Sequence, residues 1–176
     1  MVIGIKRNRW FICLYRLLGI GYWILGIGYW VWGIGYGVLG MGYEIFINNK
    51  DMKEIISTLE APAAIGAYSQ AVKANGMLFA SGQLGIDPAT SEFAGADFRS
   101  QAEQAVKNVA AILNAAGTDA SHVIKTTVFL TDMANFAVLN EVYSTLFTAP
   151  FPARSAVAVA ALPKGGLVEI EVIAAL

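Results

Sequence analysis

The stretch that decides the fold runs from Asp97 to Leu130 and reads DFRSQAEQAVKNVAAILNAAGTDASHVIKTTVFL. Its first part predicts a helix, because Asp97 can cap the amino end and Gly117 can follow the carboxyl end. Apolar residues recur there at helical spacing and form one stripe: Phe98, Ala102, Ala105, Val106, Val109, Ile112 and Leu113. The last part, residues 123–130, is rich in β-branched residues and predicts a strand. A helix with a single apolar stripe next to a strand indicates a helix that packs on a sheet.

Patterns on either side complete the expected topology. A second helix is predicted over residues 135–147, with apolar residues on one side: Phe136, Leu139, Val142, Tyr143 and Leu146. Asn75-Gly76 predicts a hairpin turn, and further strands are expected at residues 53–58, 68–73, 77–81, 154–161 and 167–173. The order β-β-β-α-β-α-β-β predicts a two-layer α+β domain, with a mixed sheet and two helices on one face. The other face would expose a large apolar patch, so we expect oligomerisation through it.

The first 51 residues form a repetitive apolar segment of a different character. Residues 18–45 are four heptapeptides, LGIGYWI, LGIGYWV, WGIGYGV and LGMGYEI. Each unit has at least two glycines, and this glycine content and the lack of paired charges argue against a coiled coil. A tandem nucleotide repeat encodes such a pattern, and Met52 follows it after six further residues. We therefore expect a misassigned start, with residues 52–176 as the natural domain.

Two other interpretations of this segment stay open. Residues 17–43 carry no charge and exceed the ~20 apolar residues that span a bilayer, so they could form a membrane anchor. A secretory signal peptide fits less well, because its apolar core is usually only ~7–15 residues long. The domain is accordingly expected in the cytoplasm, or at a membrane if residues 17–43 anchor it.

The charge and the rare residues of the domain exclude several kinds of site. Residues 52–176 carry seven basic and eleven acidic residues, so a nucleic-acid partner is not expected. Cys13 is the only cysteine and His122 the only histidine, so neither a disulfide within the chain nor a zinc site of these ligands is expected. His122 follows a helix end, where a surface or turn role is more common than a catalytic one.

Three polar residues lie in surroundings that suggest a site. Arg154 opens a strand in FPARSAV, and an arginine among small and apolar residues usually meets a carboxylate or a phosphate. Glu169 and Glu171 share one face of a strand, and a partly buried carboxylate can activate water. Asn140 lies inside a helix, where asparagine is unfavourable without a reason. The structural alternatives are an internal ion pair for Arg154, an exposed polar face for the two glutamates, and a solvent-facing amide for Asn140.

Strand geometry adds a condition on Arg154 and Glu169. In a simple hairpin about Lys164, Glu169 would pair near Val159, and Arg154 would lie ~17 Å away. Two groups so far apart cannot hold one small substrate. Either another strand separates them, or the pocket uses more than one subunit.

Several segments in the order found here resemble the RidA family of reactive intermediate deaminases, also called the YjgF family. The resemblance begins with AIGAYSQAV at residues 64–72 and SGQ at 81–83, followed by IDP at 86–88. It continues through QAEQ at 101–104, Asn108 and residues 123–132. It ends with FAVLNEVY at 136–143, PARS at 152–155, LPK at 162–164 and EIE at 169–171. Residues 1–51 lie outside it.

The resemblance implies a chorismate-mutase-like fold and a homotrimer with a pocket at each subunit interface. It also implies hydrolysis of 2-imino or 2-enamino acids to 2-oxo acids and ammonia, with no cofactor or metal. In that scheme Arg154 clamps the substrate carboxylate and Glu169 positions the attacking water and moves protons. The remaining site residues would be Tyr68 as a pocket wall, Ser81 and Gly82 nearby, and Asn140 as polar support.

Two positions depart from the family pattern, and two other functions compete. Ala67 replaces a usual proline, and Ala156 stands where many members have cysteine, so a thiol takes no part in the chemistry here. The competing functions are an endoribonuclease or translation inhibitor and a non-catalytic trimer that binds small acids. The acidic domain and the single His122 argue against the ribonuclease.

Overall fold

The computed structural model describes residues 3–7, 10–16, 23–27, 30–33 and 36–38 of the first segment and all of residues 53–176. The chain divides into two compact units, Met1–Asn48 and Asn49–Leu176. Five strands of the first unit pair antiparallel in chain order: β1 Ile3–Arg7, β2 Trp10–Arg16, β3 Trp23–Ile27, β4 Trp30–Gly33 and β5 Tyr36–Val38.

Within residues 17–43, the described residues form β3, β4 and β5, and the membrane-anchor interpretation stays a prediction. Tryptophan, tyrosine, isoleucine and valine favour extended backbone, whereas repeated glycine disfavours a helix. Among the residues that the structure describes, no helix has the length and apolar character needed to cross a bilayer. Met52, the predicted start, lies outside the described residues, so that prediction stays untested.

The second unit contains six strands and two helices. The strands are β6 Glu54–Ile56, β7 Ala71–Ala74, β8 Met77–Leu84, β9 Val123–Leu130, β10 Ala153–Ala158 and β11 Val168–Ala175. The helices are α1 Phe98–Ala115 and α2 Phe136–Tyr143. The sheet has the order β10-β9-β11-β8-β7-β6, with only β9 and β10 parallel to each other. The predicted element order and the α+β fold with a mixed sheet are confirmed.

Helix α1 begins and ends where its sequence signals lie. The Asp97 side chain accepts a hydrogen bond from the Ser100 amide at 3.0 Å, which satisfies one free amide of the first turn. Gly117 follows the helix with φ of 76°, a left-handed conformation that glycine adopts without strain. The predicted apolar stripe is buried against the sheet, and Ala102, Ala105 and Val109 are fully inaccessible to solvent.

Helix α2 ends at Tyr143, four residues before the predicted end at 147. The Ser144 hydroxyl donates to the Asn140 carbonyl at 2.8 Å, and the Thr145 hydroxyl donates to the Val142 carbonyl at 2.7 Å. Such side chains compete with backbone amides for the last helical carbonyls and favour turns. The chain then continues as turns to Phe147, which is buried.

The two faces of the sheet differ in what covers them. On β11, Val168, Ile170 and Val172 point toward the helices and are at most 1% exposed. Glu169 and Glu171 alternate with them and therefore lie on the opposite, open face. This open face carries large apolar side chains, and Ile55, Phe79 and Val157 are each about half exposed. The uncovered apolar face expected from the sequence is present in the domain.

Buried amides connect the loop after β8 to helix α1. Asn108 is fully buried and donates to the carbonyls of Leu84 and Ile86 at 2.9 and 2.8 Å. Gln101 donates to the Gly95 carbonyl at 3.1 Å and accepts from the Leu167 amide at 2.9 Å. These bonds give the irregular loop the partners that a strand would find in a ladder, and they fix the end of β8.

Candidate functional site

Arg154, the predicted carboxylate clamp, lies on the edge strand β10 and faces the helix layer. Its Nη2 donates to Oδ1 of Asn140 on α2 at 2.8 Å. The guanidinium carbon lies 4.6 Å from the ring centroid of Tyr143 and 5.4 Å from that of Phe136. Aromatic faces attract a cation, so one amide and two rings hold the guanidinium in place. Arginine has five N–H donors, and one bond to Asn140 leaves several for a planar anion.

One side of α2 supplies all three partners of Arg154. Phe136, Asn140 and Tyr143 follow each other at spacings of four and three residues, which places them on one helix face. The Tyr143 hydroxyl shares a 2.9 Å hydrogen bond with the buried Thr126 hydroxyl of β9, and this bond fixes the ring. Burial raises the pKa of the Tyr143 phenol, while Thr126 and the charge of Arg154 act against that change.

Asn140 was predicted as a site residue, whereas Phe136 and Tyr143 were predicted only as apolar residues on one side of the helix. Their shared spacing with Asn140 was the available signal. The helix face that meets Arg154 carries both polar and aromatic partners, so an apolar stripe and a functional face overlap in α2. A pattern of burial alone does not separate these two uses.

Glu169, the predicted water-activating residue, lies on the open face close to the backbone of β8. A Cβ at Gly82 would lie 2.6 Å from the Glu169 carboxyl carbon and 2.7 Å from its Cγ. The missing side chain at Gly82 therefore gives the carboxylate its space. Burial raises the pKa of Glu169, and the negative charge of Glu171 raises it further. Gly82 and Glu169, both predicted as site residues, are thus neighbours within one chain.

Ser81 and Tyr68, the other predicted site residues of this region, each form a hydrogen bond with a nearby backbone group. The Ser81 hydroxyl donates to the Ser69 carbonyl at 2.7 Å, and the Tyr68 hydroxyl accepts from the Ile65 amide at 3.2 Å. The Tyr68 side chain is half exposed. Ser81 thus connects β8 to the loop that presents Tyr68, and the tyrosine ring is accessible to a ligand or a partner.

The predicted site residues consequently form two groups rather than one. Strand β9 lies between the strands of Arg154 and Glu169, where Arg154 pairs with Thr126 and Glu169 pairs with Phe129. Two strand spacings across and three residues along put these backbone positions roughly 14 Å apart. The two side chains also point to opposite faces. The expected separation by another strand is confirmed, and one chain alone does not bring Arg154 and Glu169 to one small substrate.

His122 lies at the surface, in a short turn before β9. Its Nδ1 is 3.2 Å from the Asp119 carboxylate, and the Ser121 hydroxyl donates to the same carboxylate at 2.6 Å. Hydrogen bonds from Ser121 and His122 lower the pKa of Asp119 to about 2. Both side chains serve the turn, in agreement with the surface role expected for this histidine.

Comparison with known proteins agrees with the fold. Residues 58–176 match the family model described as endoribonuclease L-PSP. A 2-iminobutanoate/2-iminopropanoate deaminase from Rattus norvegicus is 50% identical over 123 residues, which cover 70% of this chain and 90% of that protein.

Two solved structures show the same similarity. RidA from Psychrobacter sp. PAMC 21119 matches with a TM-score of 0.68 and 53% identity, over 70% of this chain and 99% of that one. Escherichia coli TdcF with bound serine matches with a TM-score of 0.67 and 47% identity, over 70% of this chain and 98% of that one. The described fold, the motif order and these matches lead to one conclusion: this chain belongs to the RidA family, also known as YjgF, whose family model is described as endoribonuclease L-PSP.

Proposed function

We propose that this protein hydrolyses 2-imino and 2-enamino acids to 2-oxo acids and ammonia. The observation that supports this most directly is the fixed guanidinium of Arg154, which keeps donors for a substrate carboxylate beside Asn140 and two aromatic rings. Relatives at about half sequence identity bear the names of imine deaminases. A serine bound to a relative also carries the α-carboxylate that such a clamp would hold.

Arg154 would bind the substrate by its carboxylate and orient the neighbouring C=N bond. A planar guanidinium meets both carboxylate oxygens through parallel N–H donors, which fixes the plane of the substrate as well as its position. Positioning is a large part of what imine hydrolysis needs, because the carbon is already electrophilic. Asn140 would act as a support that sets the direction of the guanidinium.

Glu169 would carry the protons of the reaction. Water adds to the carbon of the protonated imine and loses a proton to the carboxylate, which forms a neutral carbinolamine. The carboxyl then returns that proton to the nitrogen, the carbon–nitrogen bond breaks and ammonia leaves, and the hydroxyl oxygen gives its proton to the carboxylate as the carbonyl of the 2-oxo acid forms. A general acid–base group works best with a pKa near the working pH, and the raised pKa of Glu169 moves it in that direction.

The two groups would meet between copies of the chain. Arg154 and Glu169 lie on opposite faces of one sheet, and the open face that carries Glu169 also exposes Phe79 and Val157. Packing of this face against a second copy would bury that apolar surface and bring Glu169 toward the partner's clamp. A homotrimer with three such pockets is the assembly that we propose.

The activity is tested with the full chain and an imine made in place by a threonine or serine dehydratase. We expect faster release of 2-oxo acid with wild type, and a loss of about 100-fold or more in kcat/KM for Arg154→Ala and in kcat for Glu169→Gln. Arg99→Ala is the matched control, because Arg99 is exposed and, among the described residues, forms its salt bridge with Glu141 on the helix layer. No acceleration by wild type contradicts the proposed function.

The sharing of the site is tested by mixing the two inactive variants. Mixed assemblies of Arg154→Ala and Glu169→Gln chains contain pockets with both residues intact if each pocket takes one residue from each copy. We expect part of the wild-type activity to return after the mixed chains are dissociated and reassembled. A mixture that stays as inactive as its components contradicts a shared pocket but leaves the deaminase activity itself untouched.

An endoribonuclease is the second candidate, since the family model bears that description. The seven basic and eleven acidic residues of the domain do not favour an RNA backbone. The same preparation incubated with a structureless RNA separates the two functions. The ribonuclease would replace the deaminase proposal if wild type cleaves RNA, Arg154→Ala does not, and wild type fails to accelerate the release of 2-oxo acid.

A further inference from the structure

The open face of the domain carries a second carboxylate, Glu171, that the proposed chemistry does not use. It lies two residues from Glu169 on β11, and strand alternation directs both side chains to the same face. Thr127 of β9 lies directly opposite Glu171 in the antiparallel register. Glu171, Thr127 and Ser81 help to line a concavity of about 390 Å³ on this face. Glu171 therefore borders this depression and lies two residues from Glu169 on the same face of β11.

The nearest lysine on this face is directed away from both carboxylates. Lys125 lies two residues along β9 from Thr127 and lines the same concavity as Glu171, but its Nζ donates to the Ser155 hydroxyl of β10 at 2.7 Å. Strand β10 is on the far side of β9 from β11. Within residues 53–176, no lysine, arginine or histidine nitrogen lies within 4.0 Å of Glu169 or Glu171.

The other charged groups around these carboxylates are few. Strand β8 has no charged residue, and Arg154 of β10 faces the helix layer. Lys164 precedes β11 in an exposed turn. On β9, Lys125 is the only charged residue. Glu169 consequently has a carboxylate, and not a cation, as its charged neighbour on the open face.

We propose that Glu171 is a positioning residue for the imine hydrolysis: by like-charge repulsion it favours the protonated form of Glu169, so that this carboxyl can donate as well as accept a proton. This inference rests on the proposed role of Glu169 in the reaction. The negative charge of Glu171, and not its shape, carries the effect. Burial and the charge of Glu171 both raise the pKa of Glu169, which agrees with this arrangement.

The chemistry explains why such a neighbour is useful. An ionised Glu169 accepts the proton of the attacking water, but the departure of ammonia needs that proton back on nitrogen. An isolated exposed glutamate is almost entirely ionised at neutral pH, so little of it is in the protonated form that can donate. A fixed negative charge nearby strengthens proton binding without touching the substrate.

The test compares two substitutions in the full chain. Glu171→Gln keeps the shape of the side chain and removes its charge, whereas Glu171→Asp changes the shape and keeps the charge. We expect the limb of the pH–rate profile that Glu169 controls to move to lower pH in Glu171→Gln. On the alkaline side of that limb, we expect the rate of Glu171→Gln to be roughly threefold lower than that of wild type. This is the effect on proton binding of one charge ~7 Å away through water. Glu171→Asp is expected to keep the wild-type profile.

A direct titration separates this inference from the proposed function. Carbon NMR of the labelled Glu169 carboxyl follows its protonation whether or not the protein deaminates imines. Glu103→Gln, at an exposed position of α1 across the sheet, removes the same charge as a control. If Glu171→Gln leaves the Glu169 titration unchanged, or if Glu171→Asp moves it as much as Glu171→Gln does, the inference is wrong. The inference is supported if the pKa of Glu169 stays the same in Glu103→Gln and falls in Glu171→Gln. This result would count even in a protein without deaminase activity.

Discussion

Replacing Gly82 by alanine tests how closely the position of Glu169 is set. The new Cβ would lie 2.6 Å from the Glu169 carboxyl carbon, whereas ordinary contacts begin at 3.4 Å. The carboxyl carbon must then move by about 1 Å, and a misplacement of that size costs roughly 100-fold in rate. Because the obstructing atoms belong to the end of a flexible side chain, the backbone of β8 can stay in place.

The effect on stability should be small. Gly82 does not have the positive φ that makes a side chain unfavourable, so alanine fits its backbone. Removing a glycine also restricts the unfolded chain, and we expect the free energy of unfolding to stay within about 1 kcal/mol of wild type. The measurement pairs kcat and KM for imine hydrolysis with urea unfolding of the same preparation.

Gly85→Ala provides a contrasting control on the same segment. A Cβ there would lie 2.6 Å from Cβ of Gln101 and would also meet the backbone of that residue, which cannot rotate away. We expect Gly85→Ala to lose about 1–3 kcal/mol of stability. Wild-type kcat in Gly82→Ala would refute the argument that Glu169 needs the space above Gly82. A stability loss as large as that of Gly85→Ala would show that Gly82 serves the fold instead.

Three further substitutions separate stability from activity. Asn108→Ala should lose about 2–4 kcal/mol, since two buried loop carbonyls lose their donors, whereas exposed Asn114→Ala on the same helix should stay within about 0.5 kcal/mol in urea unfolding. Tyr143→Phe leaves a buried threonine hydroxyl without its partner and should cost about 1–2 kcal/mol, but a ring remains beneath Arg154, so kcat/KM should stay within about twofold. Glu169→Gln should raise Tm near pH 7. Because the folded pKa of Glu169 is raised, its favourable contribution exists at low pH and is lost as pH rises through that pKa. The gain should be below about 1 kcal/mol, since half of the carboxyl is exposed, and should vanish in acid; an unchanged Tm at neutral pH would contradict the assigned cause of the shift.

Local signals in the sequence predicted the elements well. Asp97 and Gly117 bound α1 because capping and left-handed turns depend on a few adjacent residues. The end of α2 was harder to predict, since Ser144 and Thr145 bond back to helical carbonyls and stop the helix without a glycine or proline. Periodicity continues through such a stop, so an apolar stripe overestimates the helix.

The arrangement of the site depends on contacts between distant segments, and the sequence predicted only part of it. A hairpin model of the last two strands already indicated that either another strand separates Arg154 from Glu169 or the pocket uses more than one subunit. The sheet order shows that β9 is the strand between them. The registers of β10 and β11 with β9 place the two side chains on opposite faces. The role of Gly82 follows from a close approach of two strands, which no single segment encodes.

The placement of Arg154 and Glu169 on opposite faces also bears on how activity depends on protein concentration. If each pocket draws one residue from each of two copies, an isolated chain is inactive however well it folds. Specific activity then follows the mass action of assembly and falls on dilution below the dissociation constant of the oligomer. Ligands that bind across two copies would stabilise the assembly, so substrate and protein concentration would act on the same equilibrium.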